Sequence, residues 1–431
     1  MPTPITTTVL DNGLTVQLKE IHTAPLISHW MWYRVGSRDE IPGKTGLSHW
    51  VEHMQFKGTP RFPAGILDKA ISRDGGIWNA FTYMDWTTYF ETLPADKIGL
   101  AFDLEADRMV NSTFDPQEVE SERKVVISER EGSENEPLFR LGEAMQVEAF
   151  QSHPYRNEVI GSIEDLHKIK REDLYQHYCS YYTPGNAILA AAGDFMAEEM
   201  LAQIKEIYKN VPPAPLPPHP AQPEPPLTGQ RQVEVKGPGE TTFLKIAYRA
   251  PSASYADFFP FTLLDSLLTG PSSLSMFGGG GISNKTSRLY RLLVEKELAV
   301  HVGGSLQATL DPYLYEITAT IHPKQTPEAV LAAIDAEIKR LQEEPIPVAE
   351  ITRAIKQARA LFAYSSENIT NQAFWLGYAE IFANYDWFIN YLDQLSKVTT
   401  ADLQQIAQKY LQPSRRVVGA YLPDGNQGGA A

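Results

Sequence analysis

Apolar and polar positions alternate through "TTTVLDNGLTVQLKE", residues 6–20, on both sides of Asn12-Gly13, which predicts two strands joined by a tight turn. A third strand is expected in "LISHWMWYRVG". Apolar positions then recur at helical spacing over residues 46–57 and 63–73, and "GGIWNAFTYMDWTTYFETLP" returns to alternation as two strands joined near Met84-Asp85. Helical spacing governs the chain from Ala95 to about Tyr182, and the apolar run in "NAILAAAGDF" reads as a buried strand. Beyond a proline-rich stretch the succession begins again. "RQVEVKG" and "TFLKIAYRA" read as strands, followed by a helix over 256–269, a glycine-rich loop and another helix. Strands over 299–308 and 312–321, helices from 326 to about 411 and a last strand, "RVVGAYL", complete it.

Two matching successions predict an α+β fold of two repeated halves, each a mainly antiparallel sheet packed with helices. The 431 residues exceed what one compact core accommodates. Between the halves, residues 211–229 hold nine prolines, which cannot supply ladder or helix donors and predict a semi-rigid linker. The expected division is a domain over 1–211, a linker over 212–228 and a second domain over 229–431.

Composition narrows the classes of function. At 43% hydrophobic and 21% charged residues the chain has a globular balance. A net charge of −15 argues against nucleic acid as a partner and favours basic ligands, peptides among them. The single cysteine, Cys179, excludes an intrachain disulfide and a cysteine-rich zinc site. No apolar run reaches the roughly 18 residues of a membrane span, and the start shows no signal pattern. The chain as it stands reads as soluble and cytoplasmic, or periplasmic if a leader has been removed.

Chemistry concentrates in "GLSHWVEHMQFKGTP", residues 46–60. On a helix His49 and His53 are i, i+4 neighbours, and Glu52 shares their broad face. Two imidazoles at that spacing can bind one zinc ion, with a carboxylate near enough to take a proton from water. The order H-x-x-E-H inverts the more familiar metallopeptidase motif. The other eight histidines form no second cluster, so a third ligand is sought among carboxylates. Asp115-Pro116 reads as the start of a helix on which Val119, Glu122, Val126 and Glu129 fall within a sector of ~80°. Two carboxylates on an inward face need partners: one can ligate zinc and the other can hold a ligating imidazole. From the residues alone, two core histidines and a salt-bridged Glu122 and Glu129 pair using Arg123 or Arg130 remain open as alternatives.

Three stretches in order, "GLSHWVEHMQFKGTP", "GGIWNAFTYMDWTTYFETLP" and "FDPQEVESERKVVISEREGSENEP", resemble successive motifs of the pitrilysin family of zinc metallopeptidases, in particular its mitochondrial processing peptidase branch. The resemblance implies one zinc per chain held by His49, His53 and Glu129, with Glu52 as general base and Glu122 hydrogen-bonded to a ligating histidine. It implies that Asn79, Ala80, Phe81 and Thr82 form an edge strand to which an extended peptide adds, and Phe56 is placed to line a hydrophobic specificity pocket. A clam-like half-chamber completed by a homologous subunit lacking zinc is also implied.

The chain departs from that family in its second half. Active members carry an arginine and a tyrosine seven residues apart, where alignment puts Leu293 and Val300, neither able to donate a hydrogen bond through its side chain. Nearby Arg288, Tyr290 and Arg291 have no spacing that replaces them. A partner that supplies the pair, or a catalytically silent structural subunit, would account for the loss. The glycine run Gly278–Gly281 begins a near match to a phosphate-binding loop, with Asn284 where its second glycine should stand, and reads instead as a mobile loop.

Overall fold

A computed structural model describes residues 5–217, 219, 223–271 and 282–424. The strands β1 (Ile5–Val9), β2 (Thr15–Glu20), β3 (Leu26–Tyr33), β4 (Ile77–Thr82), β5 (Thr87–Pro94) and β6 (Ala187–Gly193) form a six-stranded sheet in the order β1-β2-β6-β3-β5-β4. A second sheet of five, β7 (Arg231–Gly237), β8 (Phe243–Arg249), β9 (Ala299–Leu306), β10 (Leu314–Ile321) and β11 (Arg416–Pro423), runs β7-β11-β8-β10-β9. Once β1 is set aside the two orders are the same, β2 to β6 answering to β7 to β11. In each, the first chain-order strand pairs parallel with the last, β2 with β6 and β7 with β11, while the other neighbours are antiparallel. The fold is α+β, and the repeat expected from the hydrophobic pattern is present in the topology.

Helices α1 (Leu47–Met54) and α2 (Ile66–Arg73) lie between β3 and β4 in the chain. Between β5 and β6 come α3 (Gly99–Asn111), α4 (Pro116–Ser133), α5 (Pro137–Ala149), α6 (Ile163–Lys168) and α7 (Arg171–Tyr181), with α8 (Ala197–Tyr208) after β6. In the second half α9 (Phe258–Leu268) follows β8. Six helices, α10 (Pro327–Glu343), α11 (Val348–Ser365), α12 (Ile369–Phe382), α13 (Tyr385–Ile389), α14 (Tyr391–Lys397) and α15 (Thr400–Tyr410), precede β11. Among the described residues no helix is long and apolar enough to cross a membrane.

The compact units do not coincide with the chain halves. The first comprises the described parts of Met1–Glu131, Asn157–Gln222 and Ser366–Phe388, the second those of Gly132–Arg156, Pro223–Ser365 and Ile389–Ala431. The exchange is reciprocal: α12, from the second half, packs on β3 and β6, and α5, from the first half, packs on β7, β8 and β11. The two helices hold equivalent chain positions, each directly after a helix of 18 residues, α4 or α11. Aromatic burial fixes α12, since Trp30 stacks on Phe90 at 4.3 Å and meets Phe374 edge-on at 5.3 Å, while Trp32 meets Tyr378 at 6.0 Å.

Two expectations are revised. The helix expected after the glycine-rich loop is short: Arg288 and Leu289 are α-helical and lead into a wide π turn over Tyr290–Val294, closed by bonds from Glu295 N–H to the Tyr290 carbonyl and Leu298 N–H to the Leu293 carbonyl. The proline-rich segment is anchored as well as extended: Glu224 accepts the backbone N–H groups of Gln151, Ser152 and His153 at 2.7, 2.9 and 2.8 Å, and Arg249 lies 3.0 Å from it.

Each exchanged helix crosses its sheet at a glycine. A Cβ on Gly377 of α12 would overlap the Trp32 indole, and one on Gly419 of β11 would overlap the Met145 thioether of α5. A rigid ring resists displacement more than a methionine side chain does. Gly377→Ala should therefore destabilise by about 1–3 kcal/mol and Gly419→Ala by less, compared by denaturant midpoints.

Candidate active site

Helix α1 is eight residues long and buries Leu47, Ser48, Trp50, Val51, Glu52 and Met54. It starts after Gly46, whose φ of 91° and close approach to the Ile160 carbonyl leave no room for a Cβ. Its first N–H groups are satisfied by Glu40, whose carboxyl oxygens accept from Gly46 N at 2.8 Å and Ser48 N at 2.7 Å, while burial pushes that carboxyl up to about 8. The Ser48 hydroxyl donates to the Gly36 carbonyl at 2.9 Å.

From this helix His49, Glu52 and His53 project together, the two imidazole centroids 4.6 Å apart. Helix α4 supplies the carboxylates. It is capped as expected, with Asp115 accepting Gln117 N at 2.8 Å. Glu122 Oε1 lies 2.8 Å from His53 Nδ1, and Lys57 Nζ lies 2.5 Å from Glu122 Oε2. Arg123 pairs with Glu120 at 2.8 Å and takes no part in this cluster.

Glu129 departs from its expected inward position. The buried face of α4 is Val119, Glu122, Val126 and Arg130, whereas the Glu129 side chain is 48% exposed. At about 100° per residue the buried stripe centres on Val126, and Glu129 falls roughly 60° off it, at the rim on the Glu122 side. From there its carboxylate reaches 3.8 Å from His49 Nε2 and 3.6 Å from His53 Nε2. One donor atom each from His49, His53 and Glu129 lie within 4.8 Å of one another.

Electrostatics sort these groups. Burial, with the neighbouring His53, pushes His49 down to about 3, so its ring stays neutral. His53 is raised: burial opposes its charge, but the hydrogen bond to Glu122 and the charges of Glu52, Glu122 and Glu129 outweigh it. Burial raises Glu52, tempered by a hydrogen bond from Thr82 and by His53. Glu122 is lowered, its burial outweighed by His53 and Lys57. The contact to Glu122 favours the proton of a neutral His53 on Nδ1 and turns the Nε2 lone pair toward Glu129. Three electron-pair donors, two nitrogens and a carboxylate oxygen, thus converge where a cation would relieve their mutual repulsion. The set suits a zinc ion with one position left open.

Strand β4 is the free edge of the first sheet among the described residues. Thr82 donates its hydroxyl to Glu52 Oε2 at 2.7 Å, and Trp78, on the same side of the strand, meets Phe56 at 4.7 Å. Ala80 shares that side by alternation. Phe81 lies on the other, stacked on Phe90 at 6.2 Å, and Asn79 is exposed there, its side-chain oxygen accepting from Ala80 N at 2.9 Å. Phe56 itself is not on α1. The helix ends at Met54, and a bond from Phe56 N to the His53 carbonyl turns the chain so that the half-buried ring packs on Trp78 and, at 6.2 Å, on Tyr89.

Sequence patterns did not reveal the buried group beneath that ring. The Arg108 guanidinium lies 5.9 Å from the Phe56 centroid and 4.1 Å from that of Tyr89. It pairs with Glu105 and, at 3.6 Å, with Glu91, which lies 2.9 Å from His29 Nδ1. The only signal was the i, i+3 spacing of Glu105 and Arg108 on an otherwise apolar helix face.

In the second unit Leu293 is fully buried in the core, and Val300 is 53% exposed on β9. Arg288 is engaged by Glu337 at 3.0 Å and Glu350 at 2.8 Å. Residues Gly278–Gly281 lie outside the described residues.

Comparison with known proteins places this chain in one class, the peptidases. The family model "Insulinase (Peptidase family M16)" matches residues 15–162, and "Peptidase M16 inactive domain" matches 168–358. The zinc protease PqqE of Helicobacter pylori is 28% identical over 419 residues, 94% of this chain and 90% of that protein. A probable mitochondrial-processing peptidase subunit beta of Arabidopsis thaliana is 32% identical over 204 residues, 47% of this chain and 38% of the relative. A crystal structure of a protease from Helicobacter pylori superimposes with a TM-score of 0.90 at 26% identity, covering 98% of this chain and 100% of the other. The chain belongs to the M16 peptidase family, the pitrilysin family that its motifs resemble.

The two imidazoles should titrate apart in metal-free protein. Ring NMR signals of His49 should remain those of a neutral imidazole at pH 5, while the His53 midpoint lies above the ordinary value of about 6.5. Glu122→Gln removes a neighbouring negative charge and should move the His53 midpoint down.

Proposed function

We propose that the chain is a zinc-dependent endopeptidase subunit that hydrolyses extended or unfolded peptides in an enclosed chamber, with a homologous partner chain supplying the arginine and tyrosine it lacks. The observation that carries this reading is the convergence of His49, His53 and Glu129 donor atoms within 4.8 Å, on and beside the helix that bears Glu52. In this reading residues 1–211 are the peptidase half and residues 229–431 its repeat without a zinc motif.

His49, His53 and Glu129 would hold zinc, which supplies a Lewis acid able to polarise a peptide carbonyl and acidify water. Glu122 fixes the ring of His53 through Nδ1. Glu52 accepts the proton of the attacking water and passes it to the leaving amine. The outer edge of β4, Asn79 to Thr82, aligns an extended substrate through backbone hydrogen bonds, and Phe56 with Trp78 offers an apolar wall to a side chain beside the scissile bond.

A second reading, a catalytically silent structural subunit, is favoured by one observation. Neither the buried Leu293 nor Val300 can hold a developing oxyanion through its side chain. The two readings separate experimentally. Elemental mass spectrometry should find about one zinc per parent chain and none in a His49→Ala, His53→Ala variant. Glu122→Gln should keep the metal with affinity lowered by ~10–100-fold. Glu52→Gln should retain zinc and lose ~10²–10⁴-fold in peptide turnover. A parent that binds zinc yet cleaves no peptide, alone or with a homologous chain that carries the arginine and tyrosine, is a structural subunit.

A further inference from the structure

Glu52 is anchored by a residue of the strand that would receive the substrate. Its Oε2 accepts the Thr82 hydroxyl at 2.7 Å, while among the described residues Oε1 takes no hydrogen bond. One carboxylate oxygen is tethered and the other is left for a reacting water.

The direction of the tether follows from its neighbours. The Thr82 oxygen also lies 3.3 Å from the Thr87 hydroxyl, but buried Thr87 donates its own hydrogen to the Val35 carbonyl at 2.9 Å. Thr87 can therefore only accept from Thr82, and the shorter contact, to a carboxylate, takes the Thr82 hydrogen. Backbone pairing of Thr82 with Thr87 at the β4–β5 end sets where that hydroxyl stands. We infer that Thr82 is a positioning residue that holds Glu52 in register with a peptide docked on β4; the inference rests on the peptidase reading above.

A hydroxyl serves both states of such a base. It donates to the carboxylate before water attacks, and once Glu52 carries the proton it can accept the carboxylic O–H. The proton taken from water goes on to the leaving amine, and Thr82 keeps its own. A methyl group in the same place does neither, and leaves a buried carboxylate oxygen without a partner.

The test compares Thr82→Val, which keeps the shape, with Thr82→Ser, which keeps the hydroxyl, in the full chain assayed with the partner that supports activity. Thr82→Val should lower kcat by ~10–100-fold, with KM and zinc content within about 2-fold of the parent, and Thr82→Ser should recover most of the loss. Thermal unfolding of zinc-free protein supplies a readout independent of turnover. Thr82→Val should lower Tm in the parent and have little effect in a Glu52→Ala background. An unchanged kcat in Thr82→Val, an equal loss in Thr82→Ser, or the same Tm shift in both backgrounds overturns the inference. Coupled Tm shifts in a parent that cleaves no peptide would instead sink the peptidase reading and leave the Thr82 anchor standing.

Discussion

A helix of eight residues buried on most of its surface needs most of its polar groups answered by the surrounding protein, and that need organises its surroundings, although among the described residues the buried His49 Nδ1 and Trp50 Nε1 atoms have no hydrogen-bond partner. Glu40 answers the free N–H groups of α1, Gly36 answers the Ser48 hydroxyl, Glu122 answers His53, and Thr82 answers Glu52. Three separate segments of chain, residues 36–40, β4 and α4, are therefore committed to one short element. None of these contacts is a surface ion pair of small worth: each partner is buried or partly so, where an unmet group is costly. The arrangement that keeps α1 folded is also the one that fixes the orientation of its imidazoles and carboxylate. Stability and chemistry at this place draw on the same hydrogen bonds.

The repeat shows what happens when that demand is absent. In the second unit α9 holds the place of α1, between the second and third strands of its half. Its sequence, FFPFTLLDSLL, is apolar around nearly its whole circumference, and its buried Asp265 accepts from Thr269 at the end of the helix at 2.6 Å and from Tyr315 of β10 at 2.9 Å. The same strand order thus supports a helix carrying the His49, Glu52 and His53 cluster in one unit and a mostly apolar packing helix in the other. Topology alone says nothing of which is which; the residues on the helix decide.

Much of this was legible in the chain because it is local. Asn12-Gly13 marked the first turn, Asp115-Pro116 the start of α4, and i, i+4 spacing brought His49 and His53 together. What was hidden depends on partners far away in sequence. Glu129 could not be assigned to a rim until Arg130 was seen to occupy the far side of the buried stripe. Phe56 left its helix because a turn closes after Met54. The Thr82 to Glu52 contact spans 30 positions and joins a strand to a helix, a meeting that no periodicity encodes. The reciprocal placement of α5 and α12 is hidden for the same reason, since each helix has an ordinary pattern wherever it packs.

That exchange constrains the order in which the protein can be made. Strands β1 to β6 have all been synthesised by Gly193, but α12, which covers β3 and β6, is complete only at Phe382. During the interval Trp30 and Trp32 lack the aromatic cover of Phe374 and Tyr378. A nascent first sheet therefore waits with one apolar face open for nearly the whole second half of translation. Folding from the N-terminus outward therefore cannot complete the first unit until α12 is made, and the second is complete only with β11.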